Sequence, residues 1–258
     1  EVYQVGNNTN GQFGNWTINN SLLPVKALDI NNVIEVSSKG NTTTVLKADG
    51  TVWTAGANNY GQYGSDDTTK YNYFIQMRNS EGNGMIRGIT SVASGANHTA
   101  ILTKDEEVYA TGLNTSGQLG IGTNNNTTKI VKVLDENNEV LRDIKQISAS
   151  QTATYMLSNS GKVYVAGNNI NYNLSQTSTV NYIRAITMKK ADGSDFDGVF
   201  AIGEYFDKFT TVIKRDGNIY AAGLNDKGQF GTELTTEELA KEPYLTLTSE
   251  EKFSIDYT

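Results

Sequence analysis

The chain has 258 residues, 37% of them hydrophobic and 19% charged, which supplies a real core and argues against a disordered polymer. Its formal charge of -7 and pI near 4.8 have the wrong sign for a nucleic-acid or anionic-membrane surface, and no basic run exceeds two residues, as in Lys189-Lys190. There is no cysteine, so disulfides and thiolate metal sites are excluded, and no apolar run approaches the ~18 residues of a membrane-spanning helix.

The first stretch, VYQVGNNTNGQFG at 2–14, is rewritten as VWTAGANNYGQYG (52–64), VYATGLNTSGQLG (108–120) and IYAAGLNDKGQFG (219–231), with a worn copy, VYVAGNNINYNLS, at 163–175. The anchoring glycines Gly6, Gly56, Gly112, Gly167 and Gly223 are separated by 50, 56, 55 and 56 residues, the signature of a repeat architecture. Three residues before each anchor stands an aromatic (Tyr3, Trp53, Tyr109, Tyr164, Tyr220) and four before it a β-branched residue, which predicts a strand. Trp53 and Tyr109 are expected to be mostly buried, so that Trp53→Ala costs about 3–5 kcal/mol.

Upstream of that strand, Thr43, Thr99, Thr154 and Thr210 align, as do Leu46, Leu102, Leu157 and Ile213, and predict a second strand. A turn of the Asp49-Gly50 kind joins the two as a hairpin. Further upstream, Val33–Val36, Ile89–Val92, Ile144–Ile147 and Val199–Ile202 predict a third strand, preceded in three copies by a polar turn at 79–84, 135–139 and 192–198. Each unit then reads as about four short strands in a meander. Radial repetition of four-stranded sheets is a β-propeller.

After each anchor comes an invariant Asn (Asn8, Asn58, Asn114, Asn169, Asn225), whose side chain can bond its own following backbone and which tolerates a left-handed conformation. Gly-Gln-apolar-Gly follows, and its apolar member (Phe13, Tyr63, Leu119, Leu174, Phe230) is expected to plug the gap between units.

The text ITSVASGANHTAILTKDEEVYATGLNTSGQLG at 89–120 resembles a repeat of the regulator of chromosome condensation family, and the resemblance recurs over nearly the whole chain. It implies an all-β propeller, most often of seven blades. Four full periods plus partial terminal blades fall about 100 residues short of seven. The expectation is a single repeat domain over 1–258, forming an open or truncated part of a ring cut within a blade at Glu1 and at Thr258. An open arc predicts self-association through its strand edges. Closure would instead pair residues 253–257 with 2–5.

His98, the one histidine, is expected to be a blade residue held by hydrogen bonds, so a multi-histidine zinc site and a Ser/His/Asp set are excluded. Asp192-Gly193-Ser194-Asp195-Phe196-Asp197-Gly198 with Glu204 resembles a calcium loop, but Gly193 stands at its first position, and the same place in other copies holds plain hairpin turns. Paired carboxylates such as Asp66-Asp67 and Glu237-Glu238 read as solvated faces. No catalytic residue, metal or cofactor is therefore expected.

What varies is the loop between the fixed Asn and Gly, and there the binding residues are expected: Asn10, Asn59, Tyr60, Ser116, Asn171 and Lys227. Tyr73, in the aromatic connection Tyr71–Phe74, joins them as an interface anchor or else covers a blade edge, as do Tyr205 and Phe206. The leading expectation is a non-enzymatic scaffold whose rim loops engage a protein or glycan. The alternatives are the exchange-type regulation of a small GTPase that the resemblance implies, and a carboxylate-dependent lyase or hydrolase. The Asn- and Thr-rich, cysteine-free composition suggests a bacterial surface or secreted protein.

Overall fold

The computed structural model describes residues 1–176, 178–190, 192–203, 209–225, 230 and the backbone of 244–247. Regular structure among them is all strand. A two-stranded sheet of β1 (Tyr3–Gly6) and β2 (Ser21–Lys26) comes first. The first full blade holds β3 (Val33–Lys39), β4 (Thr42–Lys47), β5 (Val52–Gly56) and β6 (Tyr71–Gln76). The second holds β7 (Ile89–Ser94), β8 (His98–Thr103), β9 (Val108–Gly112) and β10 (Thr127–Lys132). The third holds β11 (Ile144–Ala149), β12 (Ala153–Ser158), β13 (Val163–Gly167) and β14 (Tyr182–Thr187). The fourth holds β15 (Val199–Ile202), β16 (Phe209–Lys214), β17 (Ile219–Gly223) and β18 (Tyr244–Leu247). Every full blade is an antiparallel meander, as expected of propeller repeats. Among the described residues β1 pairs with β2 alone; the pairing of 253–257 with 2–5 lies outside them, as do Tyr205 and Phe206.

The repeat text occupies one strand site in every unit. Trp53, Tyr109, Tyr164 and Tyr220 face Val45, Ile101, Met156 and Val212 in the same register. The anchoring glycines have φ of 109, 107, 108, 121 and 111, a conformation side chains resist. A Cβ on Gly56 would lie 2.3 Å from Asn41 O, and one on Gly112 2.5 Å from Asn97 O, so the bend also needs the missing side chain.

The cores lie between blades. Ala100, Leu102 and Val108 of the second blade pack with Ile144, Ile147 and Met156 of the third, and Leu157 and Val163 of the third with Val199 and Val212 of the fourth. No unit buries its apolar faces alone, which is why the sequence must repeat. The expected plugs Phe13, Tyr63, Leu119, Leu174 and Phe230 are at most 3% exposed. Full burial of such side chains contributes roughly 1.5–3 kcal/mol each.

The structure corrects three expectations. Trp53 and Tyr109 are half-buried, and Tyr3 is 56% exposed. The sealed residue is the β-branched neighbour (Val52, Val108, Val163), while the aromatic lies on the blade flank with a lysine ammonium over Trp53, Tyr109 and Tyr220 at 5.5, 5.6 and 5.2 Å. The full-core cost assigned to Trp53→Ala therefore does not apply. Tyr71–Phe74 is no connection but most of the outer strand β6, so Tyr73 is a strand residue. The repeated asparagines are not left-handed; the positive φ falls on the glycines around them and, in the worn copy, also on Tyr172 and Ser175.

Residues of β3, β7, β11 and β15 line a central cavity of about 270 Å³, which makes them the inner strands. At one end of each blade, here the loop end, lie the turn between inner and second strands and the loop from third to outer strand. At the other, the hairpin end, lie the Asp-Gly type turns and the links to the next blade. The turns at 79–84, 135–139 and 192–198 sit there as expected, closed by Asn79 N to Gly84 O at 2.8 Å, Asp135 N to Glu139 O at 2.8 Å and Lys190 N to Ser194 O at 2.9 Å.

Candidate functional site

Each loop from third to outer strand is fixed by one amide. The Oδ1 of Asn8, Asn58, Asn114, Asn169 and Asn225 accepts the backbone N–H of the plug residue five positions on, at 2.8, 3.0, 2.9, 2.8 and 2.9 Å. The same side chains donate from Nδ2 to loop carbonyls further along: Thr17, Asp67, Thr123 and Ser178. Four of these asparagines are fully buried, so each bond satisfies a group water cannot reach. Next, the Oε1 of Gln12, Gln62 and Gln118 accepts the N–H two residues before it, at 3.1, 3.0 and 2.9 Å, and pins the loop tip. The glycine between them allows close approach to the neighbouring blade: a Cβ on Gly11 would lie 2.5 Å from Asn72 Cα, and one on Gly61 2.5 Å from Thr128 Cα.

A pinned backbone leaves the variable side chains outward. Asn59 and Tyr60 are exposed, and Asn10, Ser116 and Asn171 are half-buried. Lys227 lies outside the described residues. These side chains are brought to one end of the blades but stand one tip per blade rather than in a shared pocket. Asn10 lines a groove with Thr9, Ile18, Lys70, Tyr71 and Asn72. Tyr73 sits in β6 with its ring stacked under Trp16 at 4.0 Å. The tips 7–12, 57–62, 113–118 and 168–173 contain no charged residue.

The titratable candidates are engaged elsewhere. His98 is buried; its Nε2 lies 3.0 Å from Thr154 Oγ1 of the next blade. Thr154 donates its own proton to Gln118 O at 2.7 Å, so the imidazole donates from Nε2. Burial, helped by the Lys39 ammonium, pushes its pKa down to about 4. A Cβ on Gly95 would meet the ring at 2.1 Å, so that glycine makes room for it. This is the hydrogen-bonded blade residue the repeat predicts.

In the calcium-like turn, Asp195 accepts Lys162 Nζ at 2.7 Å, Lys189 Nζ at 2.6 Å and Thr187 Oγ1 at 2.7 Å, which hold its carboxyl far below the usual carboxylate range. Asp192 accepts the N–H and hydroxyl of Ser194. These oxygens close a hairpin turn; Glu204 lies outside the described residues. Among the described residues no three His, Asp or Glu side chains gather where a metal could sit. Glu107 is buried and paired with Lys132 at 2.8 Å and with Arg142. Asp66 pairs with Lys129 at 3.5 Å, and Asp67 accepts Thr69 N–H at 2.9 Å. Glu237-Glu238 is outside the described residues. Asp195, Glu107 and Asp66 are thus committed to cations, and Asp192 and Asp67 to turn amides.

Sequence reasoning missed the central cavity. Its polar groups tie blades together. Glu35 Oε1 accepts Ser91 Oγ at 2.9 Å and Val92 N at 3.2 Å; Gln146 exchanges two bonds with Ile202, at 2.8 and 3.1 Å; Lys39 Nζ donates to Ala149 O at 2.6 Å. The available signal was Glu35, Ser91 and Gln146, polar residues at one repeat position inside apolar inner strands.

Comparison with known proteins agrees with this architecture. Models of the "Regulator of chromosome condensation (RCC1) repeat" match residues 33–62 and 89–118, and 49–102 and 105–157. The X-linked retinitis pigmentosa GTPase regulator of Canis lupus familiaris is 34% identical over 125 residues, which is 47% of this chain and 12% of that protein. Among solved structures, human WBSCR16 superposes with a TM-score of 0.74 at 21% identity, over 95% of this chain and 60% of that one. Yeast RCC1 (Prp20), crystallised with Kap60, gives 0.71 at 17% identity, over 90% and 52%. At such identities the structures establish the fold alone, and the chain spans only a small part of the curated relative it matches.

Proposed function

The chain belongs to the regulator of chromosome condensation repeat family, and from that premise we propose that it is a non-enzymatic binding scaffold whose loop tips engage a protein or glycan partner. The observation that carries this reading is the amide clamp. It repeats in five units while the side chains at Asn59, Tyr60, Ser116 and Asn171 vary at fixed places, exposed for the first two and half-buried for the others. Rigid backbone with free side chains reduces the ordering cost of association. Four of the five tips carry no charged residue, the fifth holding Asp226 and Lys227, and uncharged tips favour partners read by hydrogen bonds and apolar contact over partners steered by charge. An exposed Tyr60 on such a tip is the kind of residue that dominates interfaces. A bacterial surface or extracellular setting suits this reading and is part of the proposal.

The test replaces the tips and leaves the clamp. A variant with Asn59, Tyr60, Ser116 and Asn171 changed to Ala keeps every bond described above, because those bonds are made by the backbone at these positions. Binding is then read on arrays of proteins and of oligosaccharides, beside a control variant changed at Asp49 and Asp216 in the hairpin turns. The reading expects capture to be lost by the tip variant and kept by the control. Retention by the tip variant with loss by the control would move the binding surface to the hairpin end.

A further inference from the structure

Ten residues after Gly6, Gly56 and Gly112 the chain turns left-handed. Asp66 (φ 69) and Gly122 (φ 81) occupy this place in the second and third copies, and their N–H groups bond the next outer strand, to Thr128 O at 3.0 Å and Ile183 O at 2.8 Å. The first copy places Trp16 there, with φ 66 and the same bond, to Asn72 O at 2.8 Å. A left-handed backbone costs a residue with a Cβ roughly 1–2 kcal/mol relative to Gly, and it is a genuine outlier for a bulky one.

The indole is locked at that cost. It stacks on Tyr73 at 4.0 Å and 18°, and its Nε1 donates to Asp29 Oδ2 at 2.7 Å. Tyr71 leans on Tyr73 at 5.1 Å. Trp16 is nevertheless 51% exposed. The strand Tyr71-Asn72-Tyr73 that supports it also forms one wall of the groove of about 280 Å³ lined by Thr9, Asn10, Ile18, Lys70, Tyr71 and Asn72. A rigid, flat apolar plate therefore stands beside a groove edged by hydroxyl and amide groups and the Lys70 ammonium.

We propose that this platform binds a pyranose unit of an uncharged oligosaccharide, with the apolar C–H face of the sugar against the Trp16 indole and its hydroxyls at Thr9, Asn10, Asn72 and Lys70. A sugar ring has the matching two-sided chemistry: an apolar face to cover the plate and a rim of hydroxyls that both donate and accept. A ligand anion gains nothing from the indole, whose nitrogen is already committed to the Asp29 carboxylate, the first loop tip beside the groove carries no charge, and the Lys70 ammonium in the groove is exposed, where salt screens it. The inference rests on the reading of the loop end as a binding surface and names its ligand class.

The test uses the whole chain on an array of neutral, sialylated and sulfated oligosaccharides, followed by calorimetric titration with the best neutral binder. Trp16→Gly carries the residue that the third copy has in this turn, so it removes the platform while relieving the backbone. Trp16→Asp carries the residue of the second copy and serves as the second variant. Both are expected to bind at least tenfold more weakly than the parent, with the Trp16→Gly melting temperature at or above the parent's and with little change in high salt. Absence of any neutral binder, affinity within twofold of the parent in both variants, or preference for the anionic sugars would overturn the proposal. The tip variant distinguishes the two readings. Loss there with Trp16→Gly unaffected sinks the platform and spares the scaffold, and the reverse sinks the tips and spares the platform.

Discussion

At the loop end of the second blade, Asn114 closes its turn with neutral bonds: it accepts Leu119 N–H at 2.9 Å and donates to Thr123 O at 2.7 Å and Asn125 O at 3.1 Å. At the opposite end of the same blade, Glu107 is held by Lys132 and Arg142, and one blade on Lys162 is held by Asp195. Glu107 and Lys162 occupy the same repeat position, five residues before the anchoring glycine, with opposite sign and opposite partners. In these two blades the pair is written with either sign, because Coulomb attraction has no direction. An amide clamp is directional and buried, so it admits one residue type, and Asn is kept in every copy. Across the same two blades the hairpin end is held by ion pairs and the turn at the loop end by buried amides, which leaves the tips free to vary.

The largest expected effect breaks the clamp. Asn114→Ala leaves the buried Leu119 N–H and two carbonyls without partners and should cost about 3 kcal/mol, at 1–3 kcal/mol per stranded group with partial relaxation. Asp195→Asn at the hairpin end should cost about 1 kcal/mol, because its lysine partners are partly exposed and screened. Urea unfolding in low and high salt separates the two. The cost at Asp195 should shrink with salt and that at Asn114 should not. Equal salt dependence at both positions would erase the distinction.

A pH titration should resolve the same two ends. His98, near the loop end, has its pKa lowered from 6.5 to about 4 in the fold, so the unfolded chain binds its proton more readily. Stability from this group is full above 6.5, falls as pH drops towards 4, and levels off below. The loss is roughly 3 kcal/mol at 1.36 kcal/mol per pH unit. Asp195 is shifted downward from 3.8, so its contribution is full above that value and disappears only as pH falls below it. His98→Gln can keep a donor to Thr154 and should flatten the upper window alone. An unchanged profile between pH 6.5 and 4 would show that His98 is not the group responsible.

The fold was legible because each blade repeats its constraints as text. Anchor glycine, clamping Asn and plug each answer to a single geometric demand, and three of the four strands per blade follow from them. The outer strands were not legible. YNYFIQ, TTKIVK and YIRAIT share no wording, because each packs against the preceding unit's loop and is shaped by that contact. Tyr73 was therefore read as a loop residue. Trp16 escaped notice for a related reason: its left-handed φ depends on a bond to Asn72 of the next blade, and nothing local marks the turn. The tips were found as the places where the repeat stops constraining side chains, a signal that gives position without naming the partner.

The smallest effect sharpens the view that the amide, more than the glycines, holds the loop. In the worn copy Tyr172 and Ser175 replace the two glycines and adopt φ 56 and 53, yet the clamp from Asn169 to Leu174 N remains at 2.8 Å. The turn bonds Tyr172 N to Asn169 O at 3.0 Å and Ser175 N to Tyr172 O at 2.9 Å match those of Gly117 and Gly120. Tyr172→Gly should therefore stabilise the protein by roughly 0.5–1 kcal/mol, the relieved left-handed strain less the added freedom of glycine in the unfolded chain. Ser175→Gly should gain nothing, because it gives up the bond from Ser175 Oγ to Lys189 O at 2.9 Å. The converse change, Gly117→Ala in the intact third copy, should destabilise, since the new Cβ would lie 2.7 Å from Tyr182 O. Thermal melts of the three variants under one buffer test this order, and a melting temperature lowered by Tyr172→Gly would mean that the tyrosine ring is itself part of the turn's stability.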